Sequence, residues 1–332
     1  MTAVVIAMTL LFAMTNGFHD SANSIAALVA TRAARPGPAV LLAAAGHVAG
    51  PLLLGTAVAN TVAGVVTPPE SQLLPVLASA VLTAIVWNAL TWWRGLPSSS
   101  SHSLVGGLVG ACAADAGWGA VHWGGVGPAG VSGVLGVLLG LAVSPLLGAA
   151  AGLLLIRLAG RGLRKARRQI EVPIKRAQWL TSGALALSHG ANDAQKSMGI
   201  VALVLVADGS LRGFSVPLWV KLACAFALTA GTALGGWRIV RTIGRGIYPM
   251  RPLEGLVSQG GSAAVILAAA AAGAPVSTTH VVAASVVGVG LGQHRRHVRW
   301  SVVEQMALAW VVTLPVSGVL AALMLPAWKE LS

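Results

Sequence analysis

The chain has 332 residues, of which 56% are hydrophobic and 9% charged, and its mean hydropathy is +0.80. A soluble globular protein of this length needs far more polar surface, so the composition excludes that class and places the chain in a lipid bilayer. The net charge of +13 does not point to a nucleic-acid partner, because the Lys and Arg residues sit in short clusters between apolar runs, as the positive-inside rule describes.

Apolar runs between breakers predict five passes in the first half, at 2–31, 39–59, 71–93, 97–113 and 128–158. Five more are predicted at 178–207, 216–236, 254–272, 275–291 and 302–326. The runs are continuous rather than alternating, which argues against a closed barrel. The first, Ala3 to Met14, has no basic residue before it and runs into Thr15-Asn16, so it does not read as a cleavable signal. Cys112 and Cys224 lie in apolar surroundings and read as small buried hydrophobes.

Charge sets the direction of the passes. Basic residues follow pass one (Arg32, Arg35), adjoin pass three (Arg94) and are dense after pass five, from Arg157 to Arg176. In the second half they follow pass two (Arg238, Arg241, Arg245, Arg251) and pass four (Arg295, Arg296, Arg299). The phase is reversed, as expected when an odd number of passes sends the second half in from the opposite side. The expected fold is therefore an all-α integral membrane protein of about ten hydrophobic passes in two inverted-topology repeats with broken or re-entrant helices. The repeats would be 1–158 and 178–332, joined by a basic cytoplasmic connector at 159–177, with both termini outside.

The halves also repeat in sequence. Gly17-Phe18-His19-Asp20-Ser21-Ala22-Asn23-Ser24 aligns with Gly190-Ala191-Asn192-Asp193-Ala194-Gln195-Lys196-Ser197 at an offset of 173. Pro97-Ser98-Ser99-Ser100-Ser101-His102 aligns with Pro275-Val276-Ser277-Thr278-Thr279-His280 at an offset of 178. Asp20 and Asp193 are the acids farthest from the ends of their passes, and a charge at mid-bilayer costs about 2.5–3.5 kcal/mol even on lenient scales, so each needs a cation, a proton or hydrogen-bond donors. The glycines beside them are expected to unwind the helix and expose carbonyls to a coupling ion.

The Pro-Ser/Thr segments read as helix starts inside the membrane, where Ser or Thr caps the first turn. Unpaired N–H groups, the partial positive charge and the hydroxyls together suit a tetrahedral oxyanion.

These motifs, with Trp87-Asn88 leading into Pro97, resemble the inorganic phosphate transporter (Pit) family, especially its bacterial low-affinity members, over nearly the whole chain. The resemblance implies import of inorganic phosphate across the bacterial inner membrane by symport with Na⁺ or H⁺, no permanently bound cofactor and a homodimer. It also leaves open a complex of phosphate with Mg²⁺ or another divalent ion as the species carried.

By position, Ser99, Ser100, Ser101, Ser277, Thr278, Thr279, Asn23 and Asn192 would bind phosphate. Asp20, Asp193, Ser24, Ser197, Lys196 and His19 would serve cation binding or proton coupling. The chain departs from the twice-repeated Asn-Asp-x-x-Asn pattern of Na⁺-coupled members, with His19 before Asp20 and Lys196 opposite Asn23. A fixed positive charge at Lys196 would favour proton coupling. A Lys that only neutralises Asp193 is the equally weighted structural reading.

His19, His102, His189 and His280 flank the motifs as proton relays or as orienting groups. Glu254 and Glu304 begin helices and read as structural. Symport of sulfate is the alternative within transport, and a membrane-embedded Ser/His/Asp hydrolase is the alternative from another class.

Overall fold

The computed structural model describes residues 1–66, 70–127, 130–163 and 170–331. Helix dominates the described residues. In chain order the helices are α1 (Thr2–Ala30), α2 (Pro36–Leu53), α3 (Ala57–Ala63), α4 (Glu70–Arg94), α5 (Ser100–Ala116), α6 (Gly133–Gly162), α7 (Glu171–Ala207), α8 (Leu218–Leu234), α9 (Trp237–Arg241), α10 (Pro252–Ala271), α11 (Thr278–Gln293) and α12 (Trp300–Glu330). A two-residue antiparallel ribbon pairs Val126 with Val131 and Gly127 with Gly130.

The distribution of side chains is inverted relative to a soluble protein. Leu180, Val311 and Leu323 are 77%, 74% and 72% exposed, while Asn16, His19, Asp20, Asn192, Asp193 and Lys196 are buried. Only a hydrocarbon solvent makes that arrangement favourable, because buried polar groups then find partners inside the bundle.

Among the described residues six helices are long and apolar enough to cross a membrane: α1, α2, α4, α6, α10 and α12. A seventh span is formed if α8 is joined to the segment Trp237–Gly246, from which it is bent by 64°. About ten hydrophobic passes are expected from the sequence. Three motif-bearing helices, α5, α7 and α11, fall outside the six or seven for a physical reason. α5 and α11 have only 17 and 16 residues, and α7, with 37 residues, carries polar groups through its middle.

The expected unwinding of the motif helices is corrected. α1 and α7 remain α-helical through the Asn-Gly and His-Gly-Ala-Asn stretches. The glycines there serve close helix approach: a Cβ on Gly17 would lie 2.0 Å from the Leu228 carbonyl oxygen of α8, and one on Gly190 would lie 2.6 Å from the Cα of His47 on α2. α6 continues to Gly162 and α7 begins at Glu171, so helix reaches into both ends of the expected connector at 159–177. Its residues 164–169, including Arg164, Lys165, Arg167 and Arg168, lie outside the described residues. The pass expected at 39–59 ends at Leu53, and α3 follows after a break.

Packing exchanges helices between the two halves of the chain. α1 packs on α8 and α2 on α7, while α5 packs on α12 and α6 on α11. Small residues make these seams: a Cβ on Gly110 would meet the Gly318 carbonyl oxygen at 2.1 Å, and one on Gly148 would meet that of Val281 at 2.3 Å. The exchange brings the starts of α5 and α11 against the middles of α1 and α7.

Candidate substrate and coupling site

α5 and α11 begin in the same way. Pro97 and Pro275 precede each start, the next residues stay extended, and the Ser at the cap turns its hydroxyl onto the first turn. Ser99 Oγ accepts from the His102 amide at 3.2 Å, and Ser277 Oγ accepts from the His280 amide at 3.3 Å. Both caps and the residues after them are buried, so two helix N-termini with unpaired first-turn N–H groups end inside the protein. The Ser101 hydroxyl donates to the Val276 carbonyl at 3.4 Å and ties one terminus to the other.

Each of the two aspartates meets one of these ends. Thr279 donates to Asp20 Oδ1 at 2.8 Å, Ser100 donates to Asp20 Oδ2 at 3.5 Å, and Asn23 Nδ2 donates to the Thr279 hydroxyl at 3.0 Å. His19 Nδ1 lies 2.8 Å from Asp20 Oδ1, with its Nε2 3.1 Å from Thr91 Oγ1. On the other side Thr278 donates to Asp193 Oδ2 at 3.0 Å, and His189 Nε2 lies 2.6 Å from the same oxygen. Lys196 pairs with Asp193 Oδ1 and donates to the Val276 carbonyl at 3.4 Å.

Asp20, Asp193 and Lys196 are each 1% exposed, so the cluster is closed to both faces. Counting formal charges with neutral imidazoles, two carboxylates and one ammonium leave the cluster one unit negative. An anion entering it is repelled unless a proton or another cation comes with it.

The other expected residues fall as follows. Asn192 Nδ2 donates to the Ala274 carbonyl at 3.4 Å, and Ser24 Oγ lies 3.4 Å from His47 Nε2. The carbonyl oxygens of Asn23 and Asn192 and the Ser197 hydroxyl are buried without a partner. An unpaired buried polar group costs about 1–3 kcal/mol, so each of these atoms has unused capacity for a polar partner. His102 and His280 face each other: their rings are tilted with centroids 4.7 Å apart, and Trp310 stacks on His280 at 3.9 Å.

One side-chain oxygen or nitrogen from each of Asp20, His189 and Asp193 lies within 4.8 Å of the others, a candidate set for a metal ion. The donor chemistry does not suit one. Lys196 holds Asp193 Oδ1, while His189 and Thr278 hold Oδ2, so a cation there would have to displace a fixed positive charge.

Among the buried polar residues beside the candidate site, His47 carried no signal in the motif pairs. His47 of α2 is fully buried, with Nε2 2.8 Å from His189 Nδ1 and Nδ1 2.7 Å from Thr232 Oγ1. The available signal was a histidine inside an apolar run between Gly46 and Gly50, where helices approach closely. Gln195, inside the second motif, accepts from the Val58 amide at 2.8 Å and so caps α3. Glu254 behaves as expected of a residue that starts a helix, accepting from the Arg251 amide at 2.6 Å and from Tyr248 Oη at 3.1 Å.

A helical membrane protein with a closed, polar, paired site at the junction of two internal helix ends has the anatomy of a carrier rather than of an open channel or an enzyme. The chain belongs to the phosphate transporter family, whose model matches residues 16–172 and again 159–321. It is 41% identical to a probable low-affinity inorganic phosphate transporter of Mycobacterium tuberculosis, over 96% of this chain and 75% of that one. Proteins of the same description from Rhizobium meliloti and Bacillus subtilis are 38% and 36% identical, over 96% and 97% of this chain and 93% and 96% of theirs. A solved sodium-dependent phosphate transporter has the same fold, with a TM-score of 0.88 over 100% of this chain and 99% of that one, at 23% identity.

Proposed function

We propose that this protein imports inorganic phosphate across the bacterial inner membrane by symport, and that the symported cation is a proton. The observation that carries the reading is the meeting of two capped helix N-termini, at Ser99 and Ser277, against Asp20 and Asp193. Donors from opposite directions can surround one tetrahedral anion there. Ser100, Ser101, Thr278 and Thr279 supply hydroxyls, the caps Ser99 and Ser277 hold the termini open, and Asn23 and Asn192 bring oxygens that lack protein partners.

Phosphate differs from sulfate at neutral pH by carrying a hydroxyl. Asp20 Oδ2 receives only the long Ser100 contact, so it retains lone pairs to accept that proton, whereas both oxygens of Asp193 are taken. Asp20 is assigned the reading of the phosphate hydroxyl, and Asp193 with Lys196 the coupling charge. Ser197 and Ser24 flank the coupling side, and His19 orients Asp20.

The exchange of helices between halves and the like caps of α5 and α11 support two inverted repeats, α1–α6 and α7–α12. Both termini are then outside, and a basic link joins the halves in the cytoplasm. A homodimer and phosphate travelling as a divalent-metal complex are the forms that experiment must separate from a monomer and free phosphate.

A hydrolase needs a serine beside an unencumbered base. Here Ser99 is a cap and Ser101 donates to a carbonyl, while the His102 and His280 rings lie tilted against each other. The test is uptake of labelled phosphate into proteoliposomes with excess sulfate present. Accumulation unaffected by sulfate is expected. Equal competition by sulfate would assign the site to oxyanions in general, and no accumulation under a pH gradient, a Na⁺ gradient or added Mg²⁺ would end the transport reading.

A further inference from the structure

The buried chain Thr232, His47, His189, Asp193 runs from α8 through α2 to α7 with successive contacts of 2.7, 2.8 and 2.6 Å. Its hydrogen atoms can be counted. The Thr232 hydroxyl lies 3.0 Å from the Leu228 carbonyl, to which it donates, and it then accepts from His47 Nδ1–H. His47 Nε2 in turn accepts from His189 Nδ1–H, and the contact between His189 Nε2 and Asp193 Oδ2 needs one more proton. The chain thus holds one proton beyond two neutral imidazoles and a carboxylate. That proton can be drawn on His47, on His189 or on Asp193, which single-proton hops connect.

The same chain can also be drawn without that proton. Turning the Thr232 hydroxyl from Leu228 O to His47 Nδ1 reverses the two bonds of His47, which then accepts from Thr232 and donates Nε2–H to His189 Nδ1, while His189 Nε2 keeps its 2.6 Å contact with Asp193 Oδ2. Gain or loss of a proton costs one hydroxyl rotation and keeps the Thr232–His47–His189 bonds. A purely structural cluster has no need of two such hydrogen-bonding states. In the first half His19 ends on Thr91 with no second imidazole, so the device is confined to one side of the pseudo-repeat.

We infer that His47, paired with His189, is the relay that loads and unloads the coupling proton at Asp193, an inference that rests on the proton-symport reading above. The titratable groups facing the relay are His189 and Asp193 of α7, with Lys196 beyond Asp193, and Asp20 of α1, whose carboxylate lies within 4.8 Å of the His189 and Asp193 atoms. α8 presents the Thr232 hydroxyl and α1 the Ser24 hydroxyl to the His47 ring. With the proton aboard the cluster is neutral and admits an anion. Once the anion leaves, the proton leaves through His189 and His47, and the Thr232 hydroxyl turns.

The test compares wild type with His47→Gln and Thr232→Val in proteoliposomes, with the membrane potential clamped at zero and Na⁺ absent. Two quantities are read: accumulation driven by a one-unit pH gradient, and phosphate counterflow at equal pH, in which the loaded carrier never has to release its proton. One proton per phosphate supports about tenfold accumulation for each pH unit (1.36 kcal/mol). Wild type is expected to approach this. Both variants are expected to keep counterflow while the gradient no longer drives accumulation. His47→Gln that accumulates like wild type, or variants that lose counterflow in parallel with accumulation, would overturn the relay. Wild type that fails to respond to the pH gradient overturns the proton-symport reading itself, and the relay with it.

Discussion

Thr279 on α11 donates its hydroxyl proton to Asp20 on α1 at 2.8 Å, across 259 positions of chain. Thr278, the preceding residue, donates instead to Asp193 on α7 at 3.0 Å. One helix start therefore bridges the carboxylates of both halves.

Because the bridge divides between neighbouring residues, their loss should be distinguishable. Thr279→Val removes a donor from Asp20 and the acceptor of Asn23, and is expected to raise the phosphate KM with the response to the pH gradient retained. Thr278→Val removes a donor from Asp193, and is expected to alter the pH dependence of uptake more than KM. Initial rates over a range of phosphate concentration and pH separate the two patterns.

Asp20→Asn replaces the acceptor for the phosphate hydroxyl with a group that can donate. Discrimination against sulfate is expected to fall, along with the phosphate rate. A mispaired hydrogen bond at a buried site costs about 1–3 kcal/mol, or roughly 5- to 150-fold. Competition by sulfate against labelled phosphate measures it, and unchanged selectivity would remove Asp20 from that role.

Lys196→Asn leaves Asp193 with His189 and Thr278 only. Breaking a buried pair costs about 3–5 kcal/mol unless another cation fills the place. Uptake by the variant is expected to gain sensitivity to Na⁺ concentration and to lose part of its dependence on pH. An unchanged response to both would reduce Lys196 to a structural counter-ion.

The two caps are expected to differ from these residues in kind. Ser99→Ala or Ser277→Ala removes one hydrogen bond at a buried helix start, worth about 1 kcal/mol. Each is expected to lower thermal stability modestly while leaving the coupling ratio intact. The paired substitution should be nearly additive in melting temperature, since the caps share no hydrogen bond.

Much of the candidate site was legible in the sequence because membrane burial makes polar residues conspicuous. Asp20, Asp193 and the two Pro-Ser/Thr runs stand out in apolar surroundings, and their duplication points to one shared place. The path of the backbone there was less legible. Gly17 and Gly190 read equally as helix breakers or as contact points, and only the nearness of Leu228 and His47 decides for contact. Ten apolar runs are legible where six or seven described helices have the length and hydropathy of a crossing helix, because pattern alone does not separate such a helix from α5 and α11, which start inside the protein.

His47 escaped notice because its partners come from other helices. A single histidine in an apolar run has no sequence mate, and His189 and Thr232 lie 142 and 185 positions away. An ion pair between helix ends was similarly silent: the Asp115 side chain is buried and pairs with the part-exposed Lys329, far along the chain.

The measurement that bears most directly on proton-coupled phosphate transport is simultaneous recording of labelled phosphate and of internal pH in proteoliposomes free of Na⁺ and divalent ions. The expected result is phosphate accumulation accompanied by net proton entry in fixed proportion. Accumulation without proton movement, or only after Na⁺ is supplied, would contradict it.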